Sequence, residues 1–217
     1  MTPFWHIGAL DELPLFGDHA AVVWSVNSDG LFAASALAGT PATKADLADA
    51  ARGKNGGWRL LRRRLARGLI AQLSGTRIVD VHLSRNAAGR PIIDWPAGWY
   101  LGLSGCHGDC LIGVARRPIA VDREPLDYAA PLRDMLTPSE LSALDRLAEA
   151  DRPLEWLRRW TIKEAHAKLI GEPLRIRPEV VETQIGSSEM ATATFEGVSV
   201  CWTRQTAVAI ETVAMTA

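Results

Sequence analysis

Two short acidic segments constrain this chain more than any other feature. Val121-Asp122-Arg123-Glu124 is followed, forty positions after Glu124, by the carboxylate of Trp160-Thr161-Ile162-Lys163-Glu164-Ala165-His166-Ala167-Lys168. The first segment continues Arg117-Pro118-Ile119-Ala120 and reads as a strand, on which residues i and i+2 share a face, so Asp122 and Glu124 stand side by side. The second reads as a helix, with Glu164 and Lys168 one turn apart on one face. A fold that brings this helix onto this strand gathers three carboxylates and an ammonium. That set suits a hard divalent cation holding phosphate oxygens. Read separately, each segment is equally compatible with a solvated strand face and ordinary helix surface.

The sequence around these segments resembles the 4′-phosphopantetheinyl transferase superfamily. WTIKEAHAKLIGEPL is similar to the signature W-[ST]-x-K-E-[AS]-x-x-K-x-x-G, and PIAVDREP to [IV]-G-[IV]-D-[IV]-E. Upstream, Ala88-Gly89-Arg90-Pro91-Ile92 resembles the G-[KR]-P segment. Leu101-Gly102-Leu103-Ser104 falls where the family has N-x-S-H. The blocks cover residues from about 58 to 174 in the family's order. The length of 217 residues matches the two-lobed, monomeric type that activates surfactin-synthetase-like enzymes.

The resemblance implies transfer of the 4′-phosphopantetheine arm of coenzyme A to a serine of an apo acyl or peptidyl carrier protein, with release of 3′,5′-ADP. It implies Mg²⁺ on Asp122, Glu124 and Glu164. It also implies Glu164 or a metal-bound water as the base, and Lys168 as the group that steadies pyrophosphate charge or protonates the leaving group. Coenzyme A contacts are expected from Gly89, Arg90, Pro91, Ser104 and Lys168, with Lys54 and Arg59 chosen from the basic segment. The chain departs from the pattern at Gly105, where the family has His, and at Gly102, where it has Asn; His107 is the nearest substitute. A degenerate, non-catalytic binder of coenzyme A or carrier protein is the alternative.

Residues 51–67 hold Arg52, Lys54, Arg59, Arg62, Arg63, Arg64 and Arg67 without an acid. With Leu61, Leu65 and Leu69 recurring every four positions, Trp58 to Leu73 reads as an amphipathic helix with a solvated basic face. Coenzyme A phosphates suit such a face. A nucleic-acid interface is the other reading, but the net charge of −1 and the lack of an aromatic platform speak against it. Lys163 is a weaker candidate for the role of Lys168, with a solvated position on the outer helix face as its other reading, and His166 is expected on helix surface. Arg123 is expected to point away from the metal, toward solvent or an acid.

Cys106, Cys110 and Cys201 form no regular framework, and Cys106-His107 with Cys110 falls short of a four-ligand zinc site. No apolar run approaches ~20 residues, so a cytoplasmic chain off the membrane is expected. Strand-like stretches are Ala20–Val26, Ile78–Leu83, Trp99–Leu103, Cys110–Val114, Ile119–Asp122, Ala191–Phe195, Val198–Thr203 and Ala207–Val213. Thr137-Pro138-Ser139-Glu140 opens a helix to about Glu149, and a second runs from about Pro153 to Ile170. Strands and helices without strict alternation indicate an α+β fold. The resemblance adds two similar lobes, 1–104 and 105–217, with substrate in the cleft between them.

Overall fold

A computed structural model describes residues 2–13, 16–17, 19–27, 29–52, 55–105, 108–126, 132–171, 177–186 and 189–217. The fold is α+β, and the chain divides between Pro118 and Ile119 into two compact units. The N-terminal unit contains β1 (Phe4–His6), β2 (Ala21–Asn27), α1 (Leu31–Ala38), α2 (Lys44–Ala50), α3 (Gly56–Ser74), β3 (His82–Arg85), β4 (Pro91–Trp95), β5 (Tyr100–Ser104) and β6 (Asp109–Ala115). Its sheet has the order β1-β2-β6-β5, and β3 and β4 form a separate hairpin. The apolar stripe of α3 (Leu65, Ala66, Leu69, Ile70, Leu73) closes over Val22, Trp24, Val26, Ile112 and Val114. The division falls after the expected 104/105 boundary because β6 is central to this sheet, hydrogen-bonded to β2 on one side and β5 on the other.

The C-terminal unit contains β7 (Ile119–Pro125), α4 (Pro138–Asp145), α5 (Arg152–Ile170), β8 (Glu182–Ile185), β9 (Met190–Thr194), β10 (Val198–Gln205) and β11 (Ala209–Thr216). The antiparallel sheet has the order β7-β11-β10-β9-β8. Under α5 the sheet presents Ala120, Ala191, Ala193 and Ala214, and these small side chains let Ile162, Ala165 and Leu169 pack closely on it. Leu144 of α4 packs with Trp156, Leu157 and Ile210 in a second cluster. Among the described residues no helix is long and apolar enough to cross a membrane.

The two units repeat one plan. In each, a strand leads through helices to a 19-residue helix, then a 3-10 turn and four strands, the last pairing with the first. Each also repeats one buried ionic device. The helix before the long one opens with a capping box, Thr43 with Asp46 and Thr137 with Glu140, and its acid is buried. Asp46 meets Arg63 at 3.0 Å and Arg67 at 2.8 Å, while Glu140 meets Lys163 at 2.7 Å and Arg159 at 3.8 Å. The same cations then donate to carbonyls of the following turn and strand. Arg67 reaches Ile78 and Arg63 reaches Leu83; Lys163 reaches Pro178 and Val181, and Arg159 reaches Thr183. Each acid thus fixes three successive segments of its unit.

This device corrects the expected solvated basic face. Arg63 and Arg67 are buried, neutralised by acids that lie outside the basic run. Arg64 donates to the carbonyls of Leu37 and Thr40 at the end of α1, where a cation offsets the helix dipole. Arg62 lies over the Trp58 ring, 5.4 Å from its centroid.

Candidate functional site

Alternation along β7 turns Ala120, Asp122 and Glu124 toward α5, where Trp160, Glu164 and Lys168 recur at four-residue intervals. Asp122 is 2% exposed and bound directly by the Lys168 ammonium. The Trp160 indole donates to Glu124, and its ring stacks on Trp156 at 6.0 Å. Burial, the Asp122 charge and the Glu164 charge push the Glu124 carboxyl up to about 7, against the pull of Trp160 and Lys168. Burial and the charge of Asp122 likewise hold Glu164 above the ordinary carboxylate range, and Lys168 partly offsets them. Three carboxylates therefore share one poorly hydrated neighbourhood with one ammonium. Among the described residues no three His, Cys, Asp or Glu side chains stand ready as a metal cage. What the structure provides is an excess of negative charge on oxygen donors, which suits a hard divalent cation.

The remaining residues of this helix segment build the platform beneath that group. Thr161 is bonded through its hydroxyl to Thr212 at 2.8 Å, and Thr212 lies opposite Asp122 in the β7–β11 register. Lys163 is 2% exposed, locked on Glu140 and two carbonyls, so it is a structural residue where helix surface was expected. His166 is fully buried, again against expectation. Its Nε2 lies 2.9 Å from the Phe195 carbonyl and must donate there, so Nδ1 accepts from the Ser199 hydroxyl at 2.8 Å. Arg123, on the other face of β7, meets the buried Glu211, which Arg204 also binds at 2.7 Å; of the two expected environments, the acid is present.

His166 contributes one term of known sign to the pH response of the C-terminal unit. Burial lowers its pKa below 6.5, outweighing the hydrogen bond to Phe195. The unfolded chain then binds the proton more tightly, so this contribution to stability is complete above pH 6.5 and declines as pH falls toward the depressed folded value. The raised carboxyls of Glu124 and Glu164 act in the opposite sense over the same range, so the His166 term is read as a difference: in urea unfolding between about pH 7.5 and 5, the stability of the parent relative to His166→Gln should fall as pH falls.

In the N-terminal unit, Gly89, Arg90 and Pro91 form the expected turn between β3 and β4. Gly89 has φ +82°, its N–H donates to Asn86 at 2.9 Å, and the Arg90 N–H donates to the Asn86 side chain at 2.8 Å. Arg90, half-buried and with its pKa lowered by desolvation, lines a cavity of about 370 Å³ with Trp99, Tyr100 and Ile92. Ser104 is buried at the end of β5. Arg59 is half-buried on the first turns of α3. Lys54 and His107 lie outside the described residues, as does Cys106 of the weighed zinc set; Cys110 is a buried free thiol. Gly105 has a physical reason to depart from the expected motif. Its φ is +149°, and a Cβ there would sit 2.0 Å from the Asp109 carbonyl oxygen. No side chain fits this β5–β6 connection, so a histidine at 105 would require a different loop.

Residues 118–215 match the family model of the 4′-phosphopantetheinyl transferase superfamily. No curated protein matches the chain.

Proposed function

We propose that the chain transfers the phosphopantetheine arm of coenzyme A to the serine of an apo acyl or peptidyl carrier protein, a reading supported by the match of residues 118–215 to the family model of the 4′-phosphopantetheinyl transferase superfamily. The observation that carries the reading is the carboxylate group on β7 and α5, with Glu124 held at about 7 by burial and by its acidic neighbours. In this reading Asp122, Glu124 and Glu164 would hold Mg²⁺, which would supply positive charge to neutralise the pyrophosphate of coenzyme A. Glu164 takes the proton of the serine hydroxyl. The serine oxygen forms a bond to the phosphorus that carries the pantetheine arm, the pyrophosphate P–O bond breaks, and 3′,5′-ADP leaves. Lys168, held by Asp122, steadies the charge that develops on the leaving oxygen. Arg90, Gly89 and Pro91 are assigned to the nucleotide, with Arg59, Lys54, Ser104 and His107 as further contacts. A guanidinium fork is suited to phosphate oxygens, and the aromatic walls beside Arg90 are suited to a planar base. The protein is proposed to act as a cytoplasmic monomer.

The test is to incubate the protein with coenzyme A, Mg²⁺ and apo carrier proteins of peptide, polyketide and fatty-acid synthesis and to weigh the carriers. One carrier is expected to gain the mass of a single phosphopantetheine arm. A thermal shift with coenzyme A but no gain on any carrier would favour a non-catalytic binder, the alternative that Gly102 and Gly105 raise.

A further inference from the structure

The turn that carries Arg90 is held by more than its own hairpin. Arg85, the last residue of β3, grips Asp49 of α2 with two parallel hydrogen bonds of 2.6 and 3.1 Å. Its remaining nitrogen donates to the carbonyl of Gly89 at 2.6 Å. Asp49 is almost fully buried, and Arg63 of α3 stands 3.9 Å from its other side. A continuous ionic chain thus runs from α3 through α2 and β3 to the peptide that precedes Arg90. We propose that Asp49 and Arg85 are positioning residues for coenzyme A: they fix the Gly89–Arg90 peptide and so aim Arg90 into its cavity. This rests on the reading of Arg90 as a nucleotide contact. An unbraced five-residue turn samples several backbone states, and a fork such as that of Arg85 restricts it without touching the ligand.

The experiment compares Arg90→Ala, Asp49→Asn and Arg85→Lys with the double variant Asp49→Asn/Arg90→Ala. It measures KM and kcat for coenzyme A and direct coenzyme A binding by calorimetry. Arg90→Ala should raise KM roughly 10-fold, as loss of a charged hydrogen bond does. Asp49→Asn and Arg85→Lys should approach that value with kcat unchanged, and the double variant should be no worse than Arg90→Ala alone. A merely structural role would lower the unfolding temperature and the active fraction without moving KM. Arg85→Lys keeps the charge and serves if Asp49→Asn does not fold. If Arg90→Ala raises KM while both brace variants stay within about twofold, the margin of independent effects, the positioning role is overturned and the nucleotide reading stands. Additive effects in the double variant overturn it as well. No response to Arg90→Ala overturns the nucleotide reading and this inference together.

Discussion

Lys163→Ala should destabilise the C-terminal unit by about 3–5 kcal/mol, the usual cost of removing one partner of a buried ion pair. Three losses coincide. Glu140 is left in a site with almost no solvent contact, where among the described residues the more distant Arg159 is the cationic partner that remains. The carbonyls of Pro178 and Val181 lose their donor, and the tie between α5 and the turn before β8 is gone. Glu140→Gln is the informative partner variant, because it removes the charge and keeps the size. Pairing Lys163→Met with Glu140→Gln should recover part of the loss, since the cost lies in the unpaired charge more than in the missing attraction. Urea unfolding monitored by tryptophan fluorescence measures both. A loss below about 1 kcal/mol for Lys163→Ala would show that water reaches Glu140 and screens it, contrary to the packing.

The same residue marks the limit of what the sequence discloses. The strand-and-helix arrangement of the acids was legible, because spacings of two and four are local and hold wherever a strand and a helix form. Two helix ends were legible too: the Thr137–Glu140 box, with Pro138 at its first turn, opens α4, and Gly171 closes α5, whereas α4 stops at Asp145, short of the expected Glu149. Lys163 and His166 were misread because burial on the flank of a helix is decided by partners on other elements. For Lys163 these are Glu140 and the turn before β8, and for His166 Ser199 and Phe195. The arginines of α3 follow the same logic, since their partners Asp46 and Asp49 lie on α2, just before the basic run of residues 51–67. The helices α1 and α2 escaped for a local reason. Leu31–Ala38 is apolar with almost no periodicity, and Lys44–Ala50 is short with Asp46 where a capping box normally shows Glu or Gln. Gly105 was legible as a departure, but its cause, the carbonyl of Asp109 across the loop, is a tertiary fact.

Glu164→Gln separates the two effects of the acidic group, and they have opposite signs. Burial and the charge of Asp122 raise the Glu164 pKa, so in metal-free protein its ionised form opposes folding. The folded state holds the proton more tightly than the unfolded one, and stability falls as pH rises from 4.5 through the raised folded value. Glu124 acts in the same sense between 4.5 and about 7. Replacing Glu164 by the nearly isosteric amide removes one of the repelling charges. The metal-free variant should therefore unfold at a higher temperature than the parent at neutral pH. With Mg²⁺ the order should reverse: the parent gains stability in proportion to its occupancy, while the variant gains little. Phosphopantetheine transfer should fall by at least ~100-fold, beyond the 10–100-fold cost of losing a partner that merely supports a ligand. Calorimetric titration with Mg²⁺, unfolding scans with and without the ion, and carrier labelling read the three effects independently. A variant that transfers normally, or that Mg²⁺ stabilises as well as it does the parent, would remove Glu164 from the metal set and leave Asp122 and Glu124 to account for it.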